Sequence, residues 1–249
     1  MVLHSTFPTE IWVENDHKCK VDNESLAKII INKSRTEPSR ELSNVGGWQS
    51  NDDLSITEEL LARGTTATGG QDSFEGYPEL EELLTRVGRP KGTSPISSKH
   101  TNWHTVENEY FTTLITYVTQ SFNEIYKHNN YIEGLKVVIV NMWANVNNHK
   151  DFNIAHLHPD SDWSFVYYVK VTEDSGSIVF CDPRVRRIMN VHDDILKDYS
   201  NDSQHSTYRI SPLNGRLVIF PSYLEHYVEP NPTHESRISI SGNIRMREE

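Results

Sequence analysis

The hydrophobic period changes once along this chain, near residue 130, and that switch limits the folds open to it. Over 106–129, Phe111, Leu114, Ile115, Val118, Phe122, Ile125 and Tyr126 recur at helical spacing. They mark one face of a 3.6-residue period. Beyond that helix the period becomes two. Apolar residues alternate over 135–143, 163–171, 176–182, 208–213, 215–221 and 236–245, with Gly and Pro between the runs. Such runs read as strands. Weaker signals come earlier: a short strand at 7–13, a helix from Asn23 to Thr36 and helical patches at 56–63 and 78–87. Gly-, Asn- and Ser-rich loops cover 43–54, 64–76 and 89–99. Helices first and strands after predict a mainly β fold with flanking helices (α+β), the helices packing outside a β-sandwich or barrel. The expected division is a region 1–99 of strand, helices and loops that packs on a core, 100–249, led by the support helix 106–129.

Charge and composition narrow the function classes. With 24 Lys and Arg against 35 Asp and Glu, the net charge is −11. Duplex nucleic acid is therefore a poor partner, since gripping phosphates needs a basic stripe. No apolar run approaches the roughly 20 residues that span a bilayer. The first residues, MVLHSTFPTEIWVENDHK, lack the basic start and apolar stretch of a secretory signal. The 2 cysteines, Cys19 and Cys181, stand far apart, which argues against a disulfide scaffold and a four-cysteine zinc site. A cytoplasmic setting is expected.

The 12 histidines are better placed for chemistry. His156, His158 and Asp160 alternate, so on an extended chain they share a face. Two imidazoles and a carboxylate suit Fe(II), Zn(II) or another first-row metal. Well downstream, the apolar run GRLVIFP leads through Ser222 to His226. Arg237 and Ser239 follow on one strand face. A planar fork beside a hydroxyl makes a carboxylate clamp.

These residues resemble the Fe(II)- and 2-oxoglutarate-dependent oxygenases, which pair an H-x-D with a distal His and an R-x-S one strand later. The chain is more specifically similar to the 2-oxoglutarate–Fe(II) oxygenases that recur in marine bacteria and their phages. The likeness spans nearly the whole chain. It is carried by Ser43-Asn44 with Gly46 to Ser50, Trp143 to Asn145, His156 to Pro159, Val166 to Val169, Asp182 to Arg184, Phe220 to His226 and Arg237 to Asn243. It implies a double-stranded β-helix (jelly-roll, cupin-like) core, Fe(II), 2-oxoglutarate and O2 as cofactors, and hydroxylation of a substrate with release of succinate and CO2.

The resemblance implies His158, Asp160 and His226 as metal ligands, because two histidines and one carboxylate are the usual non-haem iron face. The alternative replaces Asp160 by His156. Arg237 would take the distal carboxylate of 2-oxoglutarate, helped by Ser239 and by Tyr167 or Tyr168, of which alternation lets only one face inward. Trp48, Asn145 and Arg184 are candidate substrate contacts. Two other readings stay open: a cupin-type metalloenzyme that does not use 2-oxoglutarate, and a metal-free jelly-roll binding module. The prime substrate, a small molecule or a peptide or protein, is not named by the sequence, and neither is the oligomeric state.

Overall fold

The computed structural model describes residues 8–15, 21–51, 108–184 and 206–248. The expected helices at 56–63 and 78–87 and the loops at 64–76 and 89–99 lie outside these residues.

Strand β1 (Trp12–Asn15) precedes helix α1 (Asn23–Thr36). The Asp22 side chain caps α1 by accepting from the Ser25 backbone N–H at 3.0 Å. Two short strands follow, β2 (Asn44–Val45) and β3 (Trp48–Gln49), inside the stretch expected as loop. Helix α2 (Asn108–His128) matches the strong helical period. Eight strands follow: β4 (Lys136–Asn147), β5 (Phe152–His156), β6 (Trp163–Lys170), β7 (Ile178–Cys181), β8 (Thr207–Ile210), β9 (Arg216–Pro221), β10 (His226–Val228) and β11 (Arg237–Arg247).

They form two antiparallel sheets. One has six strands in the order β1-β9-β6-β11-β4-β3, the other five in the order β2-β5-β10-β7-β8. The chain shuttles between sheets, so sequence neighbours such as β9 and β10 lie in different layers. This is the double-stranded β-helix arrangement.

Alternation decides what each face of the larger sheet does. On β6, Trp163, Phe165, Tyr167 and Val169 join the core that also takes Phe111, Leu114, Val118 and Phe122 of α2. Fully burying side chains of this size is worth about 1.5–3 kcal/mol each. Tyr117 and Phe122 meet Tyr167 and Trp163 edge-on at centroid distances of 6.1 and 5.9 Å. The alternate residues Val166 and Tyr168 face the other way, packing with Val218, Phe220 and Ile178 between the sheets. β11 follows the same rule. Ile238 and Ile240 enter the helix-side core, while Arg237, Ser239, Ser241 and Asn243 line a cavity between the sheets. Sequence periodicity therefore sorts hydrophobic support on one face from chemistry on the other.

Candidate active site

The cavity holds about 530 Å³, within the usual range of small-molecule sites. Three histidines reach it from different positions. His156 ends β5, His158 follows two residues later and His226 opens β10. β10 pairs with β5 so that His226 lies opposite His156. Each histidine offers a ring nitrogen, and these three atoms lie within 4.8 Å of one another. His158 Nε2 and His226 Nε2 are 3.4 Å apart.

Their hydrogen bonds fix which nitrogen is available. His226 Nδ1 lies 2.9 Å from the Leu224 carbonyl, and His156 Nδ1 lies 2.7 Å from the Ile154 carbonyl. A carbonyl can only accept, so both Nδ1 atoms carry the proton. Nε2 of each ring is left with its lone pair, the arrangement that orients a metal-ligating imidazole. Burial drives the His226 pKa down to about 3 and that of His158 to about 4, with further lowering from the neighbouring imidazoles. Burial also lowers His156, against its hydrogen bond to Ile154. Three neutral imidazoles with converging ring nitrogens are a donor set for a first-row divalent metal. Phe220 packs edge-on against His226 at 4.7 Å, and Trp143 stacks on His158 at 5.6 Å.

Asp160 stands apart from this group. It sits at φ 61° in the turn after His158, and because β5 has ended at His156 the alternation of an extended chain no longer aligns it with the histidines. It neither joins the cluster nor lines the cavity. The residue the structure sets beside His158 and His226 is His156.

Arg237 forms the other chemical pole. It is 1% exposed. Its Nη1 donates to the carbonyls of Ser175, Gly176 and Glu229, the last two at 3.1 Å. Its Nη2 is buried and has no partner, a costly state for a cation unless something is meant to bind there. Gly176 makes this seat possible. Its φ is +90°, and a Cβ there would lie 2.6 Å from the Glu229 carbonyl and 2.7 Å from Arg237 Nη1. Ser239 and Tyr168 line the cavity on the same side. Burial pushes the Tyr168 hydroxyl up to about 12 against the opposing pull of Arg237, so it remains a neutral phenol. Tyr167 points to the helix side and donates to Asn23 Oδ1 at 2.9 Å.

The candidate substrate contacts separate. Asn145 lines the cavity. Trp48 does not: it is buried in the helix-side core, and its indole N–H donates to the Glu37 carbonyl at 3.0 Å, which makes it a loop anchor. Arg184 does not either; it is exposed and forks onto the Asp182 carboxylate at 2.8 Å through both Nε and Nη2. The residues that sequence reading missed are the backbone seat of Arg237 and the polar wall of Asn141, Ser241 and Asn243. Alternation from Arg237 along β11 was the available signal for the last two.

Residues 141–243 match the family model described as "Putative 2OG-Fe(II) oxygenase". No curated protein sequence matches the chain. Among solved structures, a Pseudomonas putida prolyl-4-hydroxylase aligns at TM-score 0.50 and 14% identity, over 96% of this chain and 94% of that one. A prolyl hydroxylase from Trichoplax adhaerens, solved with a hypoxia inducible factor peptide fragment, aligns at 0.49 and 11%, over 95% and 84%. An oxidoreductase of the 2OG-Fe(II) oxygenase family from Burkholderia pseudomallei aligns at 0.40 and 14%; the match spans 55% of this chain and a little over half, 56%, of that one. At such identities the structural likeness is one of fold. The stretch that matches the family model, residues 141–243, contains His156, His158, His226 and Arg237 together.

Proposed function

We propose that the protein is an Fe(II)- and 2-oxoglutarate-dependent oxygenase, acting as a hydroxylase, with His156, His158 and His226 as metal ligands and Arg237 as the co-substrate clamp. The observation that carries this reading is the pairing, in one cavity, of three converging imidazoles with a buried guanidinium whose Nη2 lacks a partner. Bound Fe(II) and 2-oxoglutarate together supply the activation of O2; the co-substrate leaves as succinate and CO2, with one oxygen atom in succinate and the other in the hydroxylated substrate.

The chain's own groups do the rest. His156 and His226 would hold the metal through Nε2 and His158 through a ring nitrogen, and three protein ligands would leave positions open for small ligands. Arg237 Nη2 donates to the distal carboxylate of the oxo acid, while its Nη1 stays anchored on three carbonyls and so fixes the fork without loss of side-chain entropy on binding. Ser239 adds a hydroxyl, and neutral Tyr168 adds a phenol that does not repel the carboxylate. Trp143 and Phe220 brace the imidazoles and exclude water.

The proposed substrate is a small molecule or a peptide or protein segment rather than duplex nucleic acid, consistent with the −11 charge. The proposed location is cytoplasmic, in keeping with so few cysteines; among the described residues no helix is long and apolar enough to cross a membrane. The test is turnover of 2-oxoglutarate by the purified protein. Succinate formation that requires Fe(II) and O2 is expected. Fe(II)-independent turnover, or failure of the metal-loaded protein to bind 2-oxoglutarate, would overturn the assignment.

A further inference from the structure

Beyond the histidine cluster, the cavity continues to a second polar end that the assigned groups do not use. The register of β11 against β4 and β6 defines its levels. Arg237 lies opposite Asn147, Ser239 between Asn145 and Tyr168, Ser241 between Trp143 and Val166, and Asn243 between Asn141 and Ser164. Six residues of strand, roughly 20 Å at ~3.3 Å each, separate Arg237 from Asn243. Trp143, stacked on His158, marks the level of the histidine cluster between them.

The far end is built from uncharged groups already locked together. Ser164 Oγ donates to Asn243 Oδ1 at 2.8 Å and shares a 2.7 Å bond with Ser222 Oγ. Asn243 Nδ2 donates to Asn141 Oδ1 at 2.8 Å. Asn141 is thereby oriented, and its Nδ2 hydrogens and second Oδ1 lone pair remain for a ligand. Asn141 and Asn243 both line the cavity. Among the described residues the cavity wall carries no Asp or Glu. Its non-histidine cations are Arg237 and Arg40. The Arg40 backbone is tied to Gln49, which pairs with Asn145, so Arg40 is rooted on the Arg237 side of Trp143.

We propose that this far end is the recognition subsite for the prime substrate, and that the group it reads is an uncharged amide, a carboxamide or peptide unit, rather than a carboxylate, phosphate or ammonium. The inference rests on the oxygenase reading, which assigns the Arg237 end to 2-oxoglutarate. An amide offers one donor and one acceptor to the Asn141 edge, which offers the same in return. A carboxylate finds the Nδ2 donor but also the Oδ1 lone pair, with no cation at that level to offset its desolvation. Among the described residues that line the cavity an ammonium finds no counter-charge.

The test uses three probes of one size that differ only in the head group, on the Zn(II)-loaded, 2-oxoglutarate-saturated protein: butyramide (neutral), butyrate (anionic) and butyramidinium (cationic). Binding is read by ligand-observed saturation-transfer NMR. The neutral probe should bind about tenfold more tightly than either charged one, the margin of a single ~1.4 kcal/mol difference. Asn141→Asp keeps the acceptor for Asn243 Nδ2 but replaces the free donor by a carboxylate, so it should invert the order in favour of butyramidinium. A flat or charge-favouring order in the wild type, or an order unchanged by Asn141→Asp, would overturn the inference. The affinity for 2-oxoglutarate is measured in the same samples. If it binds and the order is flat, this inference alone fails. If it does not bind, the oxygenase reading fails and takes the inference with it.

Discussion

Arg237→Gln separates co-substrate binding from metal binding. In the wild type, Nη1 is anchored on Ser175, Gly176 and Glu229 carbonyls, and Nη2 is buried without a partner. Glutamine is shorter and neutral, so it surrenders the charge-assisted contact to the 2-oxoglutarate carboxylate. Such a hydrogen bond is worth about 1.5–3 kcal/mol. At ~1.4 kcal/mol per tenfold, the dissociation constant for 2-oxoglutarate should rise by about one to two orders of magnitude. The three carbonyls also lose their donor, which should lower the melting temperature. Metal affinity should stay near wild type, because none of the three imidazoles touches the guanidinium in the described hydrogen bonds. The assay is calorimetric titration of 2-oxoglutarate into Zn(II)-loaded protein, with Zn(II) affinity measured separately. Arg237→Lys keeps a cation in place and should recover part of the loss, lacking the planar fork. A folded Arg237→Gln protein with an unchanged 2-oxoglutarate constant would refute the clamp and bring forward a cupin that does not use the oxo acid.

Four further outcomes follow from the same geometry. His156→Ala should abolish metal binding while Asp160→Gly retains it, since Asp160 sits at φ 61°, where Gly is at ease; metal titration of the two variants checks this, and the reverse pattern would restore Asp160 as a ligand. Gly176→Ala should destabilise the fold by about 1–3 kcal/mol from the left-handed backbone and the Glu229 clash, and weaken 2-oxoglutarate as well, read by thermal denaturation and calorimetry. Tyr168→Phe should weaken 2-oxoglutarate binding severalfold, whereas Tyr167→Phe should leave it unchanged and cost only its bond to Asn23. In the metal-free protein the stability contributed by the neutral imidazoles should be fully present above pH ~6.5, the ordinary histidine value, and be lost as pH falls toward about 4 and 3, the values of His158 and His226. The sign follows because the unfolded chain takes up protons first in that window; chemical denaturation across pH reads it, and a flat profile would contradict the buried neutral imidazoles.

How far the site could be read from sequence depended on how regular its backbone was. Arg237 and Ser239 lie on a long strand, so period two alone placed them on one face, and the cavity lining agrees. Helices α1 and α2 were legible for the same reason, each carrying an uninterrupted apolar face. Asp160 falls outside the histidine cluster because the chain leaves β5 at His156 and has entered a turn by Pro159 and Asp160, where alternation no longer applies. β5 and β10 are short and mixed in character, FNIAH and HYV; their strand state comes from pairing with each other rather than from propensity. The choice between Tyr167 and Tyr168 needed the register of β6 against β11, which no local pattern encodes. The backbone carbonyls that seat Arg237 have no side-chain signature.

The central claim is that one cavity brings Fe(II), held by His156, His158 and His226, together with 2-oxoglutarate, held by Arg237. Anaerobic titration of the wild-type protein with Fe(II) and then 2-oxoglutarate tests this most directly, because bidentate chelation of the oxo acid to protein-bound Fe(II) gives a visible charge-transfer absorption. The account predicts that the band appears and saturates at one Fe(II) and one 2-oxoglutarate per chain, and that it is lost in His226→Ala. No band in the wild type, or an undiminished band in His226→Ala, would contradict it.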